Sequence, residues 1–174
     1  WNFIASGTNS GGSNVASITF TSGITSTYSM YVFSLKNIVP ITAGDLVMYF
    51  STDAGSSYLS GSFNTATWGY DAGGTSRSNF ATSADGLHLA DQVDLDALSG
   101  VSGMVYMVDP SDSGVRPSAH WNLGAHTNIN LELALFQVGS GFSTSGATVT
   151  GVKFEFPSGN IETGEIRMYG IADS

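Results

Sequence analysis

The sequence predicts a single all-β domain, an antiparallel β-sandwich of jelly-roll-like kind, and three observations carry that expectation. Apolar and aromatic residues recur at every second position in several short runs, the period of a strand with one buried face. Clusters of Gly, Ser and Asn, the residues that make turns, separate those runs. Helix signals are weak throughout, and many short strands without intervening helices are the pattern of a sandwich, jelly roll or barrel.

Taken in order, Trp1–Ala5 and Ala16–Phe20 read as strands divided by the turn cluster Ser10-Gly11-Gly12-Ser13-Asn14. The run Ser29–Ile38 follows, with Tyr31, Phe33 and Leu35 alternating against Val32, Ser34 and Lys36. Asp45–Ser51 is bracketed by Gly44-Asp45 and Asp53-Ala54-Gly55. From Ser56 to Gly86 the chain is rich in Ser, Gly, Asn and Thr, with Tyr58, Phe63, Trp68, Tyr70 and Phe80 set among them. This stretch reads as one or two strands joined by long loops, where binding residues on a rigid scaffold usually sit. Ala90–Leu98 is the best helix candidate, a turn or two at most. Met104–Val108, Asn130–Val138, Val149–Phe156 and Glu165–Ile171 complete the strands. Val152, Phe154 and Phe156 alternate with Lys153 and Glu155, and Ile166, Met168 and Gly170 with Arg167 and Tyr169. The short break Pro157-Ser158-Gly159-Asn160 predicts that the last two strands pair as an antiparallel hairpin. No internal repeat of about 20–50 residues marks a propeller or solenoid.

Composition bounds the function. A chain of 174 residues fits one domain over its whole length and can bury a core without staples. With no cysteine, disulfides and thiolate metal sites are excluded. Charged residues make up 11% of the chain, against about a quarter in a typical soluble domain. Ser, Thr, Asn and 22 glycines take their place, as in extracellular β proteins and virion parts. Net charge is −9, and the five bases Lys36, Arg77, Arg116, Lys153 and Arg167 are dispersed. No basic run exists to neutralise phosphates, so a nucleic-acid partner is not expected. No apolar run approaches the roughly 20 residues of a membrane helix, and no signal peptide is visible, so membrane insertion is not expected. The chain opens at Trp1 without an initiator methionine and reads as the C-terminal part of a longer chain.

Catalytic and metal chemistry find little support. None of His88, His120 and His126 accompanies a Gly-x-Ser-x-Gly elbow. His120 and His126 lack the i, i+4 spacing of a zinc hydrolase. The acids Asp91, Asp94 and Asp96, and the pair Asp109 and Asp112, read as solvated loop acids rather than as two carboxylates facing across a cleft. A calcium ion held by Asp85, Asp91, Asp94 or Asp96 is the alternative, although the EF-hand pattern is missing. No catalytic residue and no cofactor is therefore expected. Aromatics mixed with amides and acids are a different matter. Trp68, Tyr70 and Asp71, and the triplet His120, Trp121 and Asn122, sit in glycine-rich surroundings and are candidates for glycan binding. A ring covers the apolar face of a pyranose while Asn and Asp bond its hydroxyls. The alternative is that Trp68 and Trp121 are ordinary core residues of a sandwich.

Both ends of the chain resemble a known family. The opening Trp1-Asn2-Phe3-Ile4-Ala5-Ser6, the strand ending at Asn37-Ile38-Val39-Pro40, Leu46–Phe50 with the turn Ser51-Thr52-Asp53-Ala54-Gly55, and Gly100-Val101-Ser102-Gly103-Met104-Val105-Tyr106 all contribute. The clearest part is the ending from Phe154 to Ile171, which reads strand, Ser-Gly-Asn-Ile, x-x-Gly, strand, Tyr-Gly-Ile. Together these pieces, about half the chain, resemble a C-terminal β-sandwich domain of tailed-bacteriophage virion-surface proteins of the tail-fibre, receptor-binding type. The resemblance implies a non-enzymatic, homotrimeric, jelly-roll-like virion-surface component. It would recognise a bacterial surface polysaccharide or contact other virion proteins. Capsid decoration or a head fibre is the alternative within virions, and a carbohydrate-binding module of a secreted bacterial protein the alternative outside them. Gly159, Asn160, Gly164 and Gly170 match as turn and packing positions, not as a site. Ser56–Leu98 and Asp109–Asn128 lie outside the resemblance and would carry any specificity.

Overall fold

The structure, a computed structural model, describes residues 1–10, 13–94, 100–127 and 133–172. Its strands are β1 (Asn2–Asn9), β2 (Ser17–Phe20), β3 (Met30–Pro40), β4 (Gly44–Ser51), β5 (Phe63–Asp71), β6 (Ser76–Ala84), β7 (Leu87–Val93), β8 (Val101–Val108), β9 (Ser118–Thr127), β10 (Leu133–Ser143), β11 (Gly151–Glu155) and β12 (Ile161–Ile171). The protein is an all-β sandwich of two antiparallel sheets packed together. One sheet runs β1-β12-β3-β8-β9-β10-β5-β6, and the other β2-β11-β4-β7. A single residue pair, Val93 with Thr127, joins β7 to β9 where the sheets meet. Among the described residues no helix is long and apolar enough to cross a membrane.

The connectivity is rolled. The chain changes sheet at eight of its connections, and four of these join strands that hold matching places in the two sheets: β1 and β2, β3 and β4, β7 and β8, and β11 and β12. Those crossing pairs are neighbours in both sheets: β12 lies between β1 and β3 as β11 lies between β2 and β4. This nesting gives the sandwich its jelly-roll-like character. It also corrects the expected hairpin of Val152–Phe156 with Glu165–Ile171. The tight turn closed by Gly159 N donating to Phe156 O at 3.0 Å is a corner, and the two strands enter opposite sheets. Each carries one apolar face, and both faces are buried only if the strands lie on opposite sides of one core. The expected helical turn over Ala90–Leu98 is also corrected, since Ala90–Val93 belongs to β7 and residues 95–99 lie outside those described. The stretch Ser56–Gly86 holds a tight β5–β6 hairpin instead of long loops. Of the expected strand Asn130–Val138, the part from Leu133 is described, and it runs on to Ser143.

Alternation decides which side chains meet. In β3, Tyr31, Phe33 and Leu35 point inward and are buried, as expected. Val32 is also buried, although it faces outward, because Tyr106 and Tyr169 sit beside it on the neighbouring strands. The two sheets meet through rings. Phe33 lies 5.5 Å from Phe20 and 5.3 Å from Phe154, and Phe50 lies 5.4 Å from Phe63. In β9, Ala119, Trp121, Leu123 and Ala125 are buried. Trp121 lies opposite Gly139 of β10, where an added Cβ would come within 2.5 Å of the indole ring. The glycine leaves the space that the tryptophan fills.

Truncating Trp121 to Ala therefore opens a large void and lowers unfolding free energy by about 3–5 kcal/mol, read as a drop in denaturant midpoint at unchanged slope. Gly139→Ala overpacks the same spot and costs ~1–3 kcal/mol.

Candidate functional site

Beyond β8, the larger sheet continues as β9, β10, β5 and β6, and its outer face is a regular grid. Registers place His120, Ser140, Ala66 and Phe80 in one row across the four strands. Asn122, Val138, Trp68 and Ser78 form the next row, and Gly124, Phe136, Tyr70 and Ser76 the one after. At the inward positions between them, Thr65, Thr67, Trp121, Leu135 and Gln137 are buried, while Arg77, Asn79 and Ala81 of the edge strand β6 are half-buried. The pleat, with its period of two, therefore turns every member of these rows to the outer face, where all but the half-buried Val138 are exposed.

Four rings of this grid are open: Trp68 at 45%, Tyr70 at 47%, Phe136 at 55% and Phe80 at 68% exposure. Trp68 and Tyr70 meet edge to face with centroids 5.1 Å apart, and Phe136 is the cross-strand partner of Tyr70. Phe80, Trp68 and Phe136 descend diagonally over three adjacent strands. Diagonal neighbours in a sheet are about 7–8 Å apart, so the line of rings covers roughly 15 Å. Beside Phe80 lies a shallow groove of about 400 Å³, floored by Ala66 and Ser140 and walled by Phe142, with Asn64 and Thr82 at its rim. Arg116 stacks over Phe142, 5.5 Å from the ring centroid. On the other flank, His120 stacks on Tyr106 at 4.9 Å and 9°.

The six residues expected from sequence to bind glycan are divided by this geometry. Trp68, Tyr70, His120 and Asn122 share the outer face, with Val138 between Asn122 and Trp68 in one row. Trp121 does not join them. Its flanking residues point outward, so it points inward, where it is 3% exposed and belongs to the core. Asp71 is also corrected to a structural role. Its carboxylate accepts from the Thr75 amide at 2.9 Å and from Arg77 Nη2 at 2.9 Å, closing the β5–β6 turn. The Thr75 amide and, against the effect of burial, the Arg77 guanidinium hold that carboxyl below its ordinary pKa. Sequence reasoning missed Phe80, Phe136, Phe142 and Tyr106 as members of this face. For Phe80 a signal existed, a lone ring within Ser76–Ala84, a run otherwise of small and polar side chains.

The acids lie elsewhere. Asp85 accepts from Ser60 Oγ at 2.6 Å and from the Gly61 amide at 3.1 Å. Asp94 is buried, and Asp96 lies outside the described residues. Among the described residues no group of three His, Asp or Glu side chains is placed to hold a metal ion. Asp91 is hydrogen-bonded to Asp45, which lies 3.5 Å from His88 Nδ1 and accepts from the Gln92 amide at 2.9 Å. His88 Nδ1 is also 3.2 Å from Asn79 Nδ2. Burial, then the bond to Asp45 and its charge, raise Asp91 to a pKa of about 6, with Arg77 and His88 opposing. Burial also pushes Asp45 upward, but its bonds to His88, the Gln92 amide and Asp91 together bring it below the ordinary value. One proton is thus shared between two carboxylates, held mainly on Asp91.

The folded state keeps that proton at pH values where the unfolded chain has released it. Stability therefore falls as pH rises from about 4 through 6. Asp91→Asn mimics the protonated acid. It should leave the melting temperature unchanged at pH 5 and raise it at pH 8 by about 2–4 °C, the equivalent of ~1 kcal/mol for a half-buried group partly screened by solvent. Thermal melts of both proteins at the two pH values check this.

No protein-family model, curated protein or solved structure matches the chain.

Proposed function

We propose that this chain is a non-enzymatic surface domain of a tailed-bacteriophage virion that recognises a glycan on the host cell. The observation that carries the reading is the outer face of β9, β10, β5 and β6. It sets open rings (Trp68, Tyr70, Phe136 and Phe80) among amide, hydroxyl and imidazole groups (Asn122, Ser140, Ser78 and His120) on a rigid sheet. A flat ring offers the apolar C–H face of a sugar a surface to cover. Neighbouring amides and hydroxyls exchange hydrogen bonds with sugar hydroxyls without the cost of stripping water from an ion. The sequence resemblance at both chain ends supports the virion setting. The non-enzymatic reading draws support from the acids, since Asp45 and Asp91 bond each other directly, whereas glycoside hydrolysis uses carboxyl groups about 5–9.5 Å apart.

A second reading, attachment to other virion proteins or to further copies in a trimer, is favoured by a separate feature. At the far edge of the same sheet, Trp1 and Phe3 are 64% and 60% exposed and both pack against Tyr169, at 5.8 and 5.7 Å. That cluster lies on the free edge strand β1, a position suited to contact between chains. In the proposed assembly it serves attachment, while the grid at the other edge meets the glycan. Several domains side by side would turn weak sugar contacts into avidity.

The test is binding of fluorescently labelled protein to a panel of bacterial strains, with purified surface polysaccharides as competitors. Saturable binding to at least one strain, abolished by its polysaccharide, is expected. Trp68→Ala should weaken it roughly tenfold, the loss of one ring contact of ~1.4 kcal/mol, at unchanged melting temperature. Binding that survives Trp68→Ala and Phe136→Ala together would remove this face from the reading.

A further inference from the structure

The grid has a property that its rings alone do not reveal. The outward positions of its four strands are filled by Asn64, Ala66, Trp68 and Tyr70 on β5, Ser76, Ser78, Phe80 and Thr82 on β6, and their counterparts on β9 and β10. None of them is Asp, Glu, Lys or Arg, in a protein with 14 acids and five bases. The same sheet is charged elsewhere, since Glu165, Lys36 and Arg167 project from β12 and β3. Ionised side chains are thus kept off one half of a face whose other half carries them.

From this we infer that the site takes a linear, uncharged glycan at least three sugar units long, laid along the diagonal of Phe80, Trp68 and Phe136. The inference rests on the glycan-binding reading above and narrows it to a class. A polyanion such as an acidic capsule would meet a protein of net charge −9 with no base on the outer face of the four strands of the grid and a single one, Arg116, at its edge. A polycation would find no carboxylate there. A neutral chain needs neither, and the three rings, about 7–8 Å apart in sequence along the diagonal, offer successive units successive stacking surfaces. The groove beside Phe80 supplies polar partners at one end, with Ser140 in its floor and Asn64 and Thr82 at its rim. Arg116, stacked on Phe142 at that end, adds donors for hydroxyls. A glycan suits this face better than a second copy of this chain, because small polar residues, among them Ser76, Ser78 and Asn122, are interleaved with the rings. The packed centre of an obligate interface is more uniformly apolar.

The experiment uses the full chain on a printed panel of purified bacterial polysaccharides, half neutral and half bearing uronic or sialic acids. The strongest neutral binder is then cut by partial acid hydrolysis into a length ladder for titration calorimetry. Binding confined to neutral polymers, unchanged between 50 and 500 mM salt, with affinity climbing from one unit to three, is the expected result. Phe80→Ala and Phe136→Ala should each weaken the trimer-length fragment roughly tenfold while leaving single-unit binding at Trp68 unchanged. Salt-sensitive binding to acidic polymers, or a single sugar competing as well as the longer fragments, overturns this inference while the glycan-binding reading stands, provided that Trp68→Ala weakens the binding roughly tenfold. No polysaccharide bound at all, or sedimentation showing that Trp68→Ala dissociates an oligomer, overturns both.

Discussion

Phe20 and Phe154 from the four-stranded sheet meet Phe33 from the eight-stranded sheet, ring against ring, and the rest of the molecule depends on that contact. Each phenylalanine buried there contributes about 1.5–3 kcal/mol of hydrophobic stabilisation, and each ring pair ~0.5–1.5 kcal/mol beyond that. Phe50 and Phe63 repeat the arrangement further along, tying β4 to β5. Because the chain crosses between the sheets at eight of its connections, this single core lies between the two strands of every crossing pair. Without the rings the sheets would have no common interior, and strands such as β11 and β12 would have no reason to separate.

A sheet held this firmly on one side presents its other side with little freedom. Trp68, Tyr70 and Phe136 stand on backbone that is hydrogen-bonded along both edges of β5 and β10, and Phe80 on the edge strand β6 beside them. A rigid platform of this kind keeps the entropy cost of binding low, because the side chains that touch a ligand are already ordered. That benefit suits weak ligands such as sugars, for which each contact is small. The shape of the platform also matters. An open face spread over four strands fits an extended polymer better than a small molecule, which binds in concave sites that enclose it.

Behind the grid, the curl of β5 and β6 over β7 encloses a polar layer rather than an apolar one. Thr67 Oγ1 donates to the His88 carbonyl, Gln137 Oε1 accepts from the Asp91 amide at 2.7 Å, and Arg77 reaches both Asp71 and Gln92. These bonds orient the strands that carry Trp68 and Phe80 without contributing to the outer face. Asp71, the acid that sequence placed beside the sugar, is one of these ties. Its neighbours Trp68 and Tyr70 reach solvent for the same reason that it does not, because successive residues of a strand take opposite sides.

Alternating patterns in Tyr31–Lys36, Val152–Phe156 and Ile166–Gly170 were enough to establish the fold class, since each requires one buried and one open face. The absence of ionised runs settled what the surface would be made of. The middle strands were harder to read. In β9, Ala119, Trp121 and Ala125 alternate with His120, Asn122 and Gly124, so small residues blur the contrast between the two faces. In β10 the inward side is partly glycine, which carries no hydrophobic signal. Sequence by itself thus determined an all-β sandwich and a short roster of rings and amides. Only the tertiary structure decided that Trp121 fills the space over Gly139 while Trp68 stays open, and that Phe80, Trp68 and Phe136 stand in one line. Those outcomes depend on which strands become neighbours and in what register, and pairing across distant parts of the chain leaves no local trace in the order of residues.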